Sequence, residues 1–232
     1  MITTIRKIKQ RIDQIISKRN NSETIFIEKN KFLKFLPKNP IIIDCGAHVG
    51  LDSIEFSKIP GSTVYAFEPV DEVYVKLIEN VKLIKNIKPC KIALSDYDGA
   101  GLMYVSSGDS DGSSSLLKPK KHLKDHPNVF FNTQQKVECK MLHTWANDNN
   151  IVRIDMLWLD MQGAEQKMLS ASKSILDTVK IIHTEVNLHE TYEGIESYKS
   201  FKTFLKKKGF KIIVEAIPKG NYGGNVLFIR ND

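Results

Sequence analysis

A mostly parallel β-sheet with helices on both faces and an antiparallel last strand is the fold this sequence predicts, on three observations. From residue 40 onward, short apolar runs alternate with amphipathic stretches. Several runs are apolar on both faces, as strands buried between two helical layers must be. The last two runs are separated only by "PKGNYGG", too short for a crossover and suited to a hairpin.

The strand candidates are "IIID" (41–44), "TVYAFE" (63–68), "PCKIALS" (89–95), "DMLWLD" (155–160), "KIIHTEV" (180–186), "FKIIVEAI" (210–217) and "NVLFIR" (225–230). Helical spacing marks "LDSIEFSK", "DEVYVKLIENVKLIKN", "AEQKMLSASKSIL" and "ESYKSFKTFLKKK" between them. Ahead of this domain (39–232), residues 1–38 are expected to comprise an amphipathic helix and a linker. Ile5, Ile8, Ile12, Ile15 and Ile16 form its apolar stripe, with Arg6, Lys7, Lys9, Arg11, Lys18 and Arg19 largely opposite. Packing on the main domain is the plainer reading, and peripheral contact with a membrane surface is the alternative. Residues 99–136 break the alternation: they are rich in Gly, Ser, Asp and Lys with little periodicity, and are expected to be an insertion loop near the active-site mouth.

Composition narrows the function. The 232 residues are 41% hydrophobic, and no stretch reaches the roughly 20 uncharged apolar residues of a membrane span, so a cytoplasmic protein is expected. Cys45, Cys90 and Cys139 are far apart and lack ligand spacing, which argues against both a disulfide framework and a zinc site. The net charge of +7 is mostly lysine spread along the chain without interleaved aromatics, which speaks against nucleic acid as partner. The sequence carries no signature of a particular oligomeric state.

The chemistry gathers where strands end. In an open parallel sheet, ligands bind at the carboxyl ends of the strands, at the point where strand order reverses. The first strand ends on Asp44, and "CGAHVG" follows, with Gly46 and Gly50 able to bring the backbone close to a ligand. The GxxxG spacing is not the dinucleotide fingerprint. An acid just before the loop would repel a pyrophosphate and suits a ligand with a cationic group, such as the ammonium and sulfonium of S-adenosyl-L-methionine. Glu68, 24 residues after Asp44, ends the second strand where a carboxylate can accept hydrogen bonds from ribose hydroxyls.

"IIIDCGAHVG", "AFEP", "IALSDYDG" and "LWLDMQGAE", in this order, resemble the FkbM family of S-adenosyl-L-methionine-dependent methyltransferases over roughly residues 40–230. The resemblance implies a class I methyltransferase (Rossmann-like) fold with a seven-stranded sheet. It also implies O-methylation of a small-molecule or glycan hydroxyl. It assigns Asp44, Gly46, His48, Gly50 and Glu68 to the cofactor, places Asp96 beside the adenine, and sets Asp160 nearest the transferring methyl. His48 stands where the family often has asparagine, a substitution that positive φ tolerates. His143, in "KMLHTW", replaces a usual aspartate. Asp160, Glu185 and His189 are the candidate catalytic groups; no ligand-spaced cluster supports a metal in their place. Methylation of an RNA ribose, or a non-catalytic nucleoside-binding module, are the alternatives.

Overall fold

The structure is a computed structural model that describes residues 30–231. The expected basic N-terminal helix therefore lies outside the described residues, which begin with a single helical turn, α1 (Asn30–Leu33). Among the described residues, no helix is long and apolar enough to cross a membrane.

The chain runs through β1 (Ile41–Cys45), α2 (Leu51–Ser57), β2 (Thr63–Phe67), α3 (Asp71–Val81) and β3 (Ile87–Cys90). It then leaves the first sheet for β4 (Ala93–Ser95), β5 (Gly99–Gly108), α4 (His122–Asp125) and β6 (Val129–Met141). It returns through α5 (Leu142–Asp148), β7 (Met156–Leu159), α6 (Glu165–Ala171), a 3-10 turn (Lys173–Thr178), β8 (Ile181–Asn187), α7 (Tyr198–Lys207), β9 (Phe210–Ala216) and β10 (Gly223–Arg230). Seven strands form one sheet in the order β3-β2-β1-β7-β8-β10-β9. All pairs are parallel except those of β10, which runs antiparallel between β8 and the edge strand β9. The order reverses between β1 and β7, so the carboxyl ends of these two strands border a natural crevice.

Alternation along the buried strands divides the core in two. Ile43, Cys45, Phe67, Leu157, Leu159 and Ile182 face α5, α6 and α7, where the Trp145 ring meets Tyr65 and Phe67 edge-on at 4.9 Å. Ile42, Val64, Ala66, Met156 and Trp158 face α2 and α3, and Trp158 packs on Phe32 and Phe56. Each fully buried large side chain contributes about 1.5–3 kcal/mol of transfer free energy. Because the even-numbered residues of β1 point toward α2, Asp44 is carried to that face.

Two local expectations differ from the structure. The apolar run 89–95 is not one strand: β3 ends at Cys90, on the sheet's edge, and the chain peels away so that Ala93–Ser95 can pair with Cys139–Met141 in a second sheet of order β4-β6-β5. Nor is 99–136 irregular throughout. It contains β5 and the first part of β6, a long antiparallel pair running from Gly99↔Cys139 to Gly108↔Val129. The pair buries Met103, Val129, Val137 and Cys139 but exposes its other face, which is why its polar, Gly- and Ser-rich sequence hides the alternation. The strap from β5 to α4 folds back so that Ser115 exchanges backbone hydrogen bonds with Tyr104.

Candidate active site

At the carboxyl ends of β1, β2 and β7 lies a cleft of about 600 Å³, including its open mouth. Its floor is the loop after β1. Gly46 has φ 79°, and a Cβ there would lie 1.9 Å from the Asp160 carbonyl oxygen, so only glycine lets the β1 and β7 ends approach this closely. The Gly46 and Ala47 amides both donate to the Phe67 carbonyl, fixing the loop to β2. His48 follows with φ 50°, a left-handed conformation that histidine tolerates.

Glu68 enters the cleft from the end of β2 and is 6% exposed. Its oxygens accept the backbone N–H groups of His48 at 3.1 Å and Val70 at 2.8 Å. Burial nevertheless dominates and pushes its carboxyl up to about 7. Phe67, Val70, Leu94, Met103 and Leu116 give the cleft an apolar wall. The strap closes over it: Asp111 accepts hydrogen bonds from His48 Nε2 at 2.8 Å and from Lys76 Nζ at 3.2 Å. Those two partners hold the Asp111 carboxyl well below the usual carboxylate range.

A row of polar groups forms the cleft's far boundary. Asp160 follows β7 and lines the cleft, with its amide bonded to the Cys45 carbonyl at 2.9 Å. Gln162 Nε2 donates to Asp160 Oδ1 at 2.7 Å and to Glu185 Oε2 at 3.0 Å. Beneath them, Glu165 is buried and accepts the Met161 and Gly163 amides, yet desolvation raises its carboxyl to about 7. Glu185, from β8, is raised well above the ordinary glutamate value, first by burial and then by the charges of Asp160 and Glu165.

On the other side of this row, Glu185 opens into a second depression of about 990 Å³, again including open space. Asp125, His126, Asn187, Thr191, Asn221 and Tyr222 are among its walls, and no lysine or arginine is among the described residues lining it. The Tyr222 ring is 54% exposed.

The predicted residues thus separate by position. Gly46, His48, Glu68 and Asp160 line the first cleft, and Glu185 lines the second depression. Asp44 is not on the cleft surface: it is 1% exposed and accepts a hydrogen bond from Ser53 of α2 at 2.5 Å, supporting the loop from behind. Gly50, at φ 87°, sits beneath the loop, where a Cβ would strike Leu77 Cδ1 at 2.6 Å. Asp96 is not brought to the cleft; it faces a separate shallow depression with Gln166, Lys167 and Ser170, and Ile92, Ala93 and Leu94 line the cleft instead. His189 is engaged by Asp125 at 2.8 Å and packs on Tyr222, at the rim of the second depression. His143 is on α5, away from both. Gln162 and Tyr192 were not singled out by sequence, and Asp111 only as the first residue of "DGSSSL" (111–116), a polar segment that could close over the cofactor, hold acceptor hydroxyls or be a flexible loop. Gln162 stands inside "LDMQGAE", where a non-glycine residue ahead of Gly163 adopts φ 54°, but nothing local marks Tyr192.

Comparison with known proteins places this geometry. The sequence matches the methyltransferase FkbM domain over residues 44–212. It is 29% identical over 195 residues to the 2-O-methyltransferase NoeI of Sinorhizobium fredii (strain NBRC 101917 / NGR234), covering 82% of this chain and 79% of that protein. It is 26% identical to Methyltransferase 1 of Beauveria bassiana (strain ARSEF 2860), covering 82% and 80%. Among solved structures, M. capricolum TrmK in complex with S-adenosyl-homocysteine superposes with a TM-score of 0.51 at 12% identity, covering 90% of this chain and 70% of that one. An rRNA methylase from Streptococcus thermophilus gives 0.50 at 12% identity, covering 90% and 100%. At such identities the two structures establish a shared fold.

Proposed function

Because this chain belongs to the FkbM methyltransferase family, with S-adenosyl-L-methionine as its cofactor, we propose that it methylates a hydroxyl of an uncharged sugar or glycan precursor, with carboxylate assistance. The observation that carries this reading is the row Asp160–Gln162–Glu185, which touches the first cleft at one end and the second depression at the other.

The first cleft fits the cofactor. A buried carboxyl with raised proton affinity gains from hydroxyl donors, and Glu68 offers this to a ribose. The apolar wall suits a purine, and the glycine-floored end beside Asp160 suits an amino-acid moiety. When bound, S-adenosyl-L-methionine supplies a methyl group activated by a sulfonium. The protein's own groups then have two tasks.

The first task is to hold the acceptor oxygen in line and close to the methyl carbon, which accounts for much of the rate in such displacements. The second depression supports a neutral polyol in that role: Asn187, Asn221 and Thr191 offer donors and acceptors, and the Tyr222 ring offers a face. Its acidic lining disfavours phosphorylated acceptors, RNA included. The second task is to take the hydroxyl proton, a contribution of about 10²–10⁴-fold. Glu185 has the position for it, and its raised proton affinity makes it a stronger base than an ordinary glutamate. His189 stays a second candidate at the rim, paired with Asp125.

The test is incubation with methyl-labelled cofactor and panels of neutral sugars, sugar phosphates, nucleotide sugars and RNA. Label in a neutral sugar as a base-stable ether is the expected result. Label confined to RNA or to phosphorylated acceptors would overturn the assignment.

A further inference from the structure

Gln162 has an unusual set of commitments. Its backbone takes φ 54°, which is uncommon for a non-glycine residue. Its carbonyl oxygen accepts Ser115 Oγ from the strap at 2.9 Å. Its side-chain oxygen lies 3.0 Å from the Tyr192 hydroxyl, which is also 2.8 Å from the Ser113 carbonyl. Tyr192 is fully buried, so this hydroxyl is held in place. The phenol has one hydrogen for two carbonyl acceptors, so the orientation of the amide is set from its other side: carboxylate oxygens accept, and the NH2 end therefore faces Asp160 and Glu185 and donates one hydrogen to each.

We propose that Gln162 is a positioning residue that aims the Glu185 carboxylate and favours its ionised form, by giving one amide hydrogen to Glu185 and the other to Asp160. The proposal rests on the reading of Glu185 as the base. The surroundings explain the need. Asp160 and Glu165 face Glu185 from the β7–α6 turn and α6, Glu196 lies on the α7 side, and Asp125 and His126 stand across the depression. Apart from His126 and the nearby His189, these groups are acids, and the Tyr192 phenol adds no positive charge. Desolvation, the like charges of Asp160 and Glu165, and a hydrogen bond shared with the Asp160 carboxyl all oppose ionisation of Glu185, whereas the amide N–H donated by Gln162 favours it. Without Gln162 the base would be protonated, and idle, to a higher pH. The strap over the cofactor cleft anchors Gln162 through Ser113 and Ser115, so closure there and orientation of the base are mechanically joined.

The test is a carboxyl titration followed by nuclear magnetic resonance. Protein carrying carbon-13 at its glutamate carboxyls is saturated with S-adenosylhomocysteine, and the Glu185 signal is identified by its loss in Glu185→Gln. In Gln162→Met its midpoint should rise by about one pH unit, a tenfold change in proton affinity. Tyr192→Phe, which removes the hydroxyl held between the amide oxygen and the Ser113 carbonyl and leaves Gln162 itself in place, should raise it less and in the same direction. The acid limb of the turnover profile should move with the midpoint, whereas a merely structural loss would lower turnover equally at every pH. An unmoved Glu185 midpoint in both variants overturns the proposal, and if Gln162→Met does not fold, Tyr192→Phe decides alone. Normal turnover in Glu185→Gln beside a raised midpoint in Gln162→Met would overturn the base assignment and leave the bridging role of Gln162 standing.

Discussion

Replacing Glu68 by glutamine keeps the side chain's shape and removes its charge, and two consequences follow from the geometry. Both carboxylate oxygens accept a backbone N–H, from His48 at 3.1 Å and from Val70 at 2.8 Å. A glutamine can offer its oxygen to one of these; its NH2 meets the other donor to donor. The unpaired buried N–H then costs about 1–3 kcal/mol.

The second consequence is a changed pH dependence. Burial raises the folded-state carboxyl from 4.5 to about 7, so the folded protein holds this proton more tightly than the unfolded chain does. Stability from this group is fully present below about pH 4.5 and is lost as pH rises through about 7. The shift is worth about 3 kcal/mol at roughly 1.4 kcal/mol per unit. Glu165, raised for the same reason, adds a similar slope that both proteins share. Urea unfolding of the cofactor-free proteins between about pH 5 and 8 should therefore show the parent losing up to about 3 kcal/mol more than Glu68→Gln. Cofactor binding should run the other way, because the ionised carboxylate is the better acceptor of ribose hydroxyls. Calorimetric titration with S-adenosylhomocysteine should give the parent rising affinity over this range and the variant a weak, flat one. Equal slopes in unfolding, together with equal affinities, would refute the placement of Glu68 as a desolvated ribose acceptor.

Three further outcomes are expected. Gly46→Ala must adopt φ 79° and push its methyl away from the Asp160 carbonyl, which lies 1.9 Å from the ideal Cβ position; a loss of about 2–5 kcal/mol and a melting point lower by roughly 5–15 °C should follow, and a near-parental melting curve would contradict the close approach. Asp160→Asn and Glu185→Gln should each lower turnover by about 10²-fold or more, with cofactor affinity changed far less by the second; near-normal turnover in both would exclude a carboxylate base. Asp111→Asn weakens the partly exposed pairs with His48 and Lys76, so S-adenosylhomocysteine should bind at most about fivefold more weakly and with less salt sensitivity, and an unchanged salt dependence would remove these pairs from strap closure.

What was legible in the sequence was what local pattern controls. The central strands β1, β7 and β8 show as apolar runs because they are buried on both faces, and the edge strand β9 shows by its alternation of buried or half-buried and exposed residues. Gly46, Glu68 and Asp160 were readable because each sits at a strand's carboxyl end, a position that topology turns toward the crevice. The second sheet was hidden because β5 and β6 expose one face, on which Gly, Ser, Asn, Thr, Lys and Glu mix with the exposed Leu102 and Phe130 and blur the alternation. That also displaced Asp96: the break between β3 and β4 redirects the chain, so Ile92–Leu94 reach the cleft and Asp96 passes beyond it. Gln162 and Tyr192 meet across 30 residues, and Asp111 meets His48 across 63; pairings set by tertiary folding leave no periodicity to read.

The row Asp160–Gln162–Glu185 also divides the chain's labour along its length. The wall of the donor cleft comes from residues 45–116 and 160–164, and that of the opposite depression from 125–126 and 185–225, with no residue lining both. The hairpin turn between β9 and β10, which carries Asn221 and Tyr222, hangs from an edge of the sheet and makes no part of the donor side. With the acceptor in that depression, as proposed, sequence drift or deliberate grafting in the turn would retune which alcohol is accepted while the grip on the methyl source is inherited unchanged.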